Sequence, residues 1–278
     1  MELLDGKKVK KEKLEQLKEE LLKLQEQVGL AVIQIGEDPA SCVYVRQKEK
    51  MAESLGYYFE HIKLDENVEE SDVLNLIDRL NENDKIDGIL VQMPIPKHLD
   101  SKKIQNRVDY LKDVDGLTDI NAGRLMHNQE SLVPCTPMGI MTLLEYYGID
   151  ISGKNVTIVG RSDLVGKPLA QLMINNNATV TLCHSKTNNL SMHTKNADIL
   201  VAAIGHPNMI KKEDVKEGAV IIDVGINRLS DGTLCGDVDF EDVKDKASYI
   251  TPVPGGVGQM TVYELGNNTY KAKKLRRK

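Results

Sequence analysis

The sequence predicts an α/β fold with two domains, the second of which is Rossmann-like. Three observations support this prediction. Strand and helix patterns alternate over residues 30–92, a buried strand runs into a glycine turn and a helix over residues 156–173, and a weakly periodic stretch at residues 109–137 separates them. Parallel strands need helical crossovers, so the alternation favours parallel sheets. A chain of 278 residues has room for two such domains, and we expect a cleft between them.

The first half begins with a charged amphipathic helix at residues 8–27, whose leucines recur at helical spacing. An apolar strand at residues 30–35 follows. Asp38 as N-cap and Pro39 as the first helical residue then predict a helix that ends at Gly56. The next elements are a strand, a helix and a buried strand, at residues 57–64, 70–80 and 86–92.

The second half begins with a predicted helix at residues 137–147, and Pro137 is the predicted hinge between domains. Apolar, β-prone runs predict a second sheet, with strands at residues 156–159, 178–183, 199–202, 219–223 and 249–251. Residues 252–258 are rich in proline and glycine and are expected to form a loop, and the last helix is expected from about Thr261. The predicted domains are residues 1–136, completed by the C-terminal helix 261–278, and residues 137–260.

The turn after the strand at residues 156–159 is suited to an anionic group. Gly160 and Gly166 bracket Arg161 and Ser162, and a helix begins just beyond. Such a turn presents backbone N–H groups and a helix N-terminus to a phosphate. The turn lacks the full Gly-x-Gly-x-x-Gly pattern, however, and strand–glycine–helix turns also occur in parallel sheets that bind no nucleotide.

The end of the following strand indicates which dinucleotide this turn would accept. NAD-binding folds place an Asp or Glu there, which binds the ribose 2′-hydroxyl. Here the strand ends in His184-Ser185-Lys186 without a carboxylate, and Arg161 supplies a second positive charge. A 2′-phosphate would be attracted by these groups. The sequence therefore predicts NADP rather than NAD as the cofactor.

Three features of the first half could carry chemistry. Tyr44 and Lys48 are spaced i, i+4 in the predicted helix and share a face, so they form a possible acid–base pair or an ordinary surface pair. Gln92 ends a buried strand. Ligand sites of α/β proteins form at such strand ends, but this glutamine could also be an ordinary capping or loop residue. Asp115, in Asp113-Val-Asp-Gly116, could pair with the N–H donors of a heterocycle or belong to a plain turn.

Composition and charge exclude several classes of protein. The net charge of −6 argues against a nucleic-acid partner. The four cysteines form no Cys-x-x-Cys pair, so neither a metal site nor a disulfide framework is predicted. No apolar run reaches membrane-spanning length, and the first residues do not have the pattern of a signal peptide. We therefore expect a protein of the reducing cytoplasm, with no membrane partner.

Eight short motifs, distributed along the chain from residue 44 to residue 258, resemble those of bifunctional methylenetetrahydrofolate dehydrogenase/methenyltetrahydrofolate cyclohydrolases. Each motif is weak alone, but all eight occur in the same order as in that family. They are Tyr44-Val-x-x-Lys48, Gly88-Ile-Leu-Val-Gln-Met-Pro94, Lys112-Asp-Val-Asp-Gly116, Pro134-Cys-Thr-Pro137, Gly160-Arg-Ser-x-x-Val-Gly166, Cys183-His-Ser-x-Thr187, Asp223-Val-Gly-Ile226 and Pro252-Val-Pro-Gly-Gly-Val-Gly258.

The resemblance implies oxidation of 5,10-methylenetetrahydrofolate by NADP and hydrolysis of the product to 10-formyltetrahydrofolate. It makes Lys48 the catalytic residue, has Tyr44 and Gln92 position it, and has Asp115 hold the pterin ring. The folate pocket would be lined by Val91, Gln92, Met93, Pro254, Gly255, Gly256, Val257 and Gly258. NADP would be bound by Gly160, Arg161, Ser162, Gly166, Ser185 and Ile226. A homodimer formed through the nucleotide domain is implied as well.

One residue departs from the family pattern, in which a proline follows the Gly-Gly-Val-Gly run. This chain has Gln259 there. Loss of proline frees φ and restores a backbone N–H, so a more mobile folate loop is expected.

Two other functions fit parts of the sequence. A dehydrogenase without the hydrolase step is disfavoured by the presence of Lys48 and Gln92. A non-catalytic dinucleotide sensor would need residues 156–187 but would have no use for Tyr44, Lys48, Gln92 and Asp115.

Overall fold

The computed structural model describes residues 1–24 and 26–277, with every side chain among them except that of Ala40. Gln25, within the predicted first helix, and Lys278, at the end of the predicted last helix, lie outside the described residues. The helices and strands, in chain order, are β1 (Glu2–Leu3), α1 (Gly6–Leu24), β2 (Gly29–Ile35), α2 (Pro39–Leu55), β3 (Tyr58–Leu64), α3 (Glu70–Glu82), β4 (Gly88–Val91), α4 (Ser101–Arg107), α5 (Asp119–Met126), α6 (Cys135–Tyr146), β5 (Asn155–Val159), α7 (Gly166–Asn175), β6 (Thr179–Cys183), α8 (Leu190–Thr194), β7 (Ile199–Ala202), β8 (Val220–Asp223), β9 (Asn227–Arg228), β10 (Leu234–Cys235), α9 (Phe240–Val243), β11 (Tyr249–Ile250) and α10 (Val257–Leu275).

The chain divides into two compact units, which we name by their sheets. The three-stranded unit contains residues 13–135 and 262–278, and the six-stranded unit contains residues 1–12 and 136–261. Residues 1–12 therefore group with the second half of the chain, whereas the sequence-based division assigned them to the first domain. The reason is β1, whose two residues pair in parallel with β11, a contact between chain ends that local patterns do not reveal.

The three-stranded unit is built on a parallel sheet in the order β3-β2-β4. One face of this sheet packs on α3, which presents Val73, Ile77 and Leu80 at a spacing of about one turn. β2 is buried along its whole length because it is the central strand. The predicted parallel sheet of the first half is confirmed.

The six-stranded unit contains a sheet in the order β1-β11-β8-β7-β5-β6, in which every pairing is parallel. From β5 the chain moves to β6 on one side and then returns to β7 on the other. This reversal is the topological switch point at which doubly wound sheets bind ligands, beyond the carboxyl ends of their strands. The predicted Rossmann-like arrangement is confirmed. A separate two-stranded antiparallel ribbon joins β9 and β10.

Several local features differ from the sequence-based prediction. The stretch at residues 109–137 contains α5, a short helix capped by the Thr118 side chain, which accepts a hydrogen bond from Asn121 N. α4 was also not predicted; it is capped by Asp100. The last helix begins at Val257 rather than Thr261. Its first turn buries Val257 and Met260, and the intervening glycine hides this apolar pair in the sequence.

Candidate functional site

α2 places Tyr44 and Lys48 one helical turn apart. The helix is fixed at its start by Asp38, whose carboxylate accepts hydrogen bonds from Ser41 N at 2.8 Å and Ser41 Oγ at 2.9 Å. It ends at Gly56, which has a φ of 71°. Tyr44 is 41% exposed, while Lys48 is half-buried. Of the two side chains, Lys48 is therefore the one enclosed by the fold.

Lys48 and Gln92 are in direct contact. Lys48 Nζ donates a hydrogen bond of 2.6 Å to Gln92 Oε1, and Gln92 Nε2 donates one of 2.6 Å to Met93 O. The second bond fixes which way the carboxamide faces, so its oxygen is turned toward the lysine. Gln92 directly follows β4 and is buried, as is Val91. The residue after the carboxyl end of the buried strand β4 thus contacts Lys48 of α2.

A third group, Asp115, completes this cluster. Burial lowers the pKa of Lys48, and the charges of Asp115 and Cys135 act in the opposite direction. Burial likewise raises the pKa of Asp115, while Lys48 and a hydrogen bond with the Cys135 thiol oppose that rise. Each charge makes the other easier to bury, so the amine of Lys48 and the carboxyl of Asp115 interact electrostatically, and both have a perturbed proton affinity. Perturbed groups of this kind mark functional sites.

The turn that carries Asp115 is held by its neighbour Asp113. The Asp113 carboxylate accepts hydrogen bonds from Leu117 N at 3.1 Å, Thr118 N at 2.8 Å and Asn121 Nδ2 at 2.9 Å. Gly116 has a φ of 67°, and a Cβ there would lie 2.6 Å from Pro134 N. The two aspartates of the Asp-Val-Asp-Gly sequence therefore have different roles. Asp113 stabilises the turn, and Asp115 interacts electrostatically with Lys48.

In the six-stranded unit, the turn after β5 requires both of its glycines. Gly160 has a φ of 128°, and a Cβ on it would lie 2.0 Å from Ala203 O. A Cβ on Gly166 would lie 2.0 Å from Gly160 O. Ser162 Oγ accepts a hydrogen bond of 3.1 Å from Val165 N, just before α7. Two backbone segments therefore lie very close together in this turn. The backbone N–H groups of such a turn, at the start of a helix, can bind a phosphate.

The residues expected to select the dinucleotide lie at the same edge of the sheet. β5 pairs with β6 so that Val159 is opposite Cys183, and the segments that follow both strands lie at their carboxyl ends. His184 N donates to Thr187 Oγ1 at 2.8 Å, closing a tight turn that leaves Ser185 exposed. Arg161 is exposed as well. The donors and the positive charge for a phosphate are present, without a carboxylate at residues 184–187 to repel it.

The remaining predicted site residues also belong to the six-stranded unit. Ile226 is 50% exposed, and its Cδ1 would lie 3.4 Å from a Cβ on Gly258. Gly255 has a φ of 120°, and Gly256 is buried, whereas Pro254 is exposed. Val257 and Gly258 were expected in a loop but lie in the first turn of α10.

Gln259 lies in the same first turn of α10. Its N–H donates to Gly256 O at 3.1 Å, and its side chain accepts a 3.4 Å hydrogen bond from Lys10 Nζ. The expected mobile loop at this position is therefore replaced by helical backbone.

Several residues of these sites were not singled out from the sequence. Cys135 is buried beside Asp115, and its Sγ donates to Val114 O at 3.3 Å. Asp237 is fully buried and accepts hydrogen bonds from the backbone after β7. Asn268, on α10, is also buried. Only their positions in the fold identify them. Among residues 1–24 and 26–277, no cluster of His, Cys, Asp or Glu is arranged to hold a metal ion.

The fold and the two clusters define a dinucleotide-binding α/β protein with a second, lysine-containing site. The family models are specific: the catalytic domain of tetrahydrofolate dehydrogenase/cyclohydrolase matches residues 4–115, and the NAD(P)-binding domain of the same family matches residues 134–277. The chain belongs to the tetrahydrofolate dehydrogenase/cyclohydrolase family. None of the helices within the described ranges is long and apolar enough to cross a bilayer.

Individual relatives are similar over nearly their full length. The bifunctional protein FolD of Bacillus pumilus is 53% identical over 275 residues, which is 98% of this chain and 97% of that protein. The crystal structure of FolD from Campylobacter jejuni, a methylenetetrahydrofolate dehydrogenase/cyclohydrolase, is 46% identical with a TM-score of 0.97 and covers 99% of both chains. The Trypanosoma brucei enzyme, complexed with NADP and an inhibitor, is 36% identical with a TM-score of 0.94, covering 99% of this chain and 97% of that one.

Proposed function

We propose that this protein oxidises 5,10-methylenetetrahydrofolate to 5,10-methenyltetrahydrofolate with NADP and then hydrolyses that product to 10-formyltetrahydrofolate. The observation that carries the proposal is the 2.6 Å hydrogen bond between Lys48 and Gln92, beside Asp115, in a chain of this family. A sensor that only bound the dinucleotide would have no need of such a cluster.

NADP would be bound by Gly160, Arg161, Ser162, Gly166, Ser185 and Ile226. The close backbone approach at Gly160 and Gly166 fits a pyrophosphate, and exposed Arg161 and Ser185 fit a 2′-phosphate. When bound, NADP supplies the acceptor for the hydride that leaves the one-carbon bridge. The contribution of the protein to that step is orientation of the two reactants.

Hydrolysis depends on Lys48 in its neutral form. Burial lowers the pKa of this lysine, and the positive charge of the methenyl substrate would lower it further. One N–H of the amine is held by Gln92, which leaves the lone pair free to accept a proton from water. The water oxygen bonds to the methenyl carbon, the bond from that carbon to one ring nitrogen breaks, and the released nitrogen takes up a proton. General base catalysis of this kind contributes about 10²–10⁴-fold.

The other residues of the proposed site have binding or positioning roles. The carboxylate of Asp115 would accept hydrogen bonds from N–H groups of the pterin ring. Tyr44 would position Lys48 and the reacting carbon of the substrate. Val91 and Met93 on either side of Gln92, together with Pro254, Gly255, Gly256, Val257 and Gly258, would line the folate pocket. The supporting geometry is the burial of Val91 and Gln92 and the close backbone packing of Gly256, where a Cβ would lie 2.7 Å from Pro252 O.

An absorbance assay tests the proposal directly. Purified protein mixed with 5,10-methylenetetrahydrofolate and NADP is expected to produce NADPH, and added methenyltetrahydrofolate is expected to be hydrolysed faster than in buffer. Parallel reactions with NAD should be slower. Binding of NADP without its reduction would instead favour the sensor function, and equal rates with NAD would contradict the proposed role of Arg161 and Ser185.

We also propose a homodimer formed through the nucleotide-binding unit and a cytoplasmic location. The described cysteines are all free thiols, in keeping with a reducing compartment. Light scattering on the purified protein and fractionation of cells are the corresponding measurements.

A further inference from the structure

Asn268 on α10 binds two separate segments of the three-stranded unit. Its Nδ2 donates hydrogen bonds to Val114 O at 2.9 Å and to Val133 O at 2.8 Å. Val114 immediately precedes Asp115, and Val133 lies two residues before Cys135. A single carboxamide thus fixes the backbone near Asp115 and near Cys135. These are the two residues whose charges oppose the lowering of the Lys48 pKa by burial.

The two segments also touch each other. Cys135 Sγ donates to Val114 O at 3.3 Å, and the Cys135 side chain also acts on the pKa of the Asp115 carboxyl. The close approach of Gly116 to Pro134 leaves no space for a side chain between them. Because the contact is this close, a shift of either segment would move Asp115, and Asn268 is the side chain that holds both.

The carboxamide of Asn268 is not explained by packing. Among the described residues, its Oδ1 is the buried side-chain polar atom that has no hydrogen-bond partner. A buried acceptor without a partner costs about 1–3 kcal/mol, so an apolar side chain of similar size would avoid that cost. What the carboxamide provides in return is a pair of donors aimed at two backbone carbonyls.

We infer that Asn268 is a positioning residue for Asp115 and thereby for the recognition of the folate ring. This inference rests on the proposed function, because it assigns Asp115 to the substrate. Without the two donors, Val133 O would lose its hydrogen bond and Val114 O would keep only the one from Cys135 Sγ, so the backbone that carries Asp115 would be held less firmly. The residues proposed to bind NADP belong to the six-stranded unit, whereas Asn268 belongs to the three-stranded unit.

The test is the substitution Asn268→Leu, which keeps the size of the side chain and removes both donors. The KM for methylenetetrahydrofolate is expected to rise about tenfold, equivalent to about 1.4 kcal/mol, while the KM for NADP stays within about twofold. The matched control is Asn81→Leu. The Asn81 carboxamide binds one segment of the same unit, donating to Arg107 O at 2.9 Å and accepting from Asp109 N at 2.9 Å, so this variant should lose stability without a change in the KM for folate.

A second variant covers the case in which the leucine variant does not fold. Asn268→Ser is smaller and retains one donor, so an intermediate KM for folate is expected. A folded variant with either substitution and the KM of the wild type overturns the inference, as does a parallel rise in the KM for NADP. If the wild-type protein itself reduces no NADP, the proposed function fails, and equilibrium dialysis of tetrahydrofolate against the same variants then tests the role of Asn268 alone.

Discussion

Both units bury carboxylates next to their functional segments, but they satisfy them in different ways. In the three-stranded unit, burial raises the pKa of Asp115, and the side chains of Lys48 and Cys135 oppose that rise. In the six-stranded unit, Asp237 accepts hydrogen bonds from three consecutive backbone N–H groups, those of residues 204–206, at 2.6–3.0 Å. The first arrangement leaves a group able to react, and the second fixes the shape of a loop.

Asp223 belongs to the second kind. Its carboxylate accepts hydrogen bonds of 2.9 Å from the backbone of Gly225, Asp237 and Val238. Burial raises its pKa to about 6, and these three donors partly offset the rise. Asp223 ends β8, so it ties the segment that follows this strand, and with it Ile226, to the segment that contains Asp237. Preorganised backbone is what a dinucleotide needs, whereas the hydrolytic step needs a side chain that can exchange a proton.

The largest expected effect comes from removing that proton-exchanging group. Lys48→Met should reduce the cyclohydrolase rate by about 10²–10⁴-fold, because no neutral amine remains to accept the proton of water. The melting temperature should change little, since the charge removed is costly to bury. Rates with methenyltetrahydrofolate and thermal unfolding measure the two quantities. The control is Lys50→Met, an exposed lysine of the same helix. Hydrolysis at the wild-type rate in Lys48→Met would remove this lysine from the mechanism.

Asp237→Ala tests the other kind of buried carboxylate, the one that is bound by backbone N–H groups. This substitution leaves three backbone N–H groups and the Asn227 amide without their acceptor, and we expect a loss of about 3 kcal/mol in unfolding free energy. The KM for NADP should rise, while hydrolysis of methenyltetrahydrofolate should persist in protein that remains folded.

The matched control for Asp237→Ala is Asp231→Ala. Asp231 is an exposed aspartate of the neighbouring turn, which accepts hydrogen bonds from Thr233 N and Thr233 Oγ1. Denaturant titration and initial rates separate the two effects. Equal losses in the two variants would mean that the burial of Asp237 contributes nothing.

The same contrast explains what the sequence could reveal. Lys48, Gln92 and Asp115 could be predicted as site residues because their residue types suggest chemistry and their motifs resemble a known family. The limits of α2 were also predicted, since Asp38 and Gly56 act on their own neighbours. Asp237 follows a two-residue strand and has no such pattern around it. Its role comes from hydrogen bonds with the segment just after β7, more than thirty residues earlier in the chain, and contacts of that range are set by the tertiary fold.

Elements stabilised by distant contacts were missed for a similar reason. β1 has two residues and forms only by pairing with β11, at the far end of the chain. α5 is one of the shorter helices and depends on the capping Thr118 and on Asp113, which binds Asn121. Short helices gain little from their own sequence, so hydrophobic periodicity could not separate α5 from the surrounding loop.

Lys112 extends the comparison to a buried cation, whose hydrogen-bond partners are backbone carbonyls. Its Nζ donates to Leu80 O and Asn83 O, both at 2.9 Å, and burial lowers its pKa to about 8. The unfolded chain retains this proton up to about pH 10.5, the ordinary pKa of lysine. Between about pH 8 and pH 10.5 the unfolded state therefore binds more protons, and this residue makes stability rise with pH.

The variant Lys112→Met should lack this increase. Unfolding free energies of the two proteins at several values of pH in that range give the difference, which cancels the titration of all other groups. A constant difference across the range would show that Lys112 titrates at the same pH in both states. A difference that grows in favour of Lys112→Met would reverse the assigned sign.

The smallest effect is expected at Gln259, where two backbone contributions oppose each other. Gln259→Pro loses the 3.1 Å hydrogen bond to Gly256 O, worth about 0.5–1.5 kcal/mol, and restricts the unfolded chain by about 0.4–1 kcal/mol. Proline is tolerated in the first turn of a helix, so stability should change by less than about 1 kcal/mol.

With Gln259 already helical, little mobility remains for proline to remove, and we expect the KM for folate to fall by only about twofold. Gln259→Ala separates the causes, because it keeps the N–H and removes only the contact with Lys10. If alanine lowers the KM as much as proline does, the side-chain contact and not the backbone is responsible. A fall of tenfold or more with proline would mean that this segment is mobile in solution, as the sequence alone had suggested.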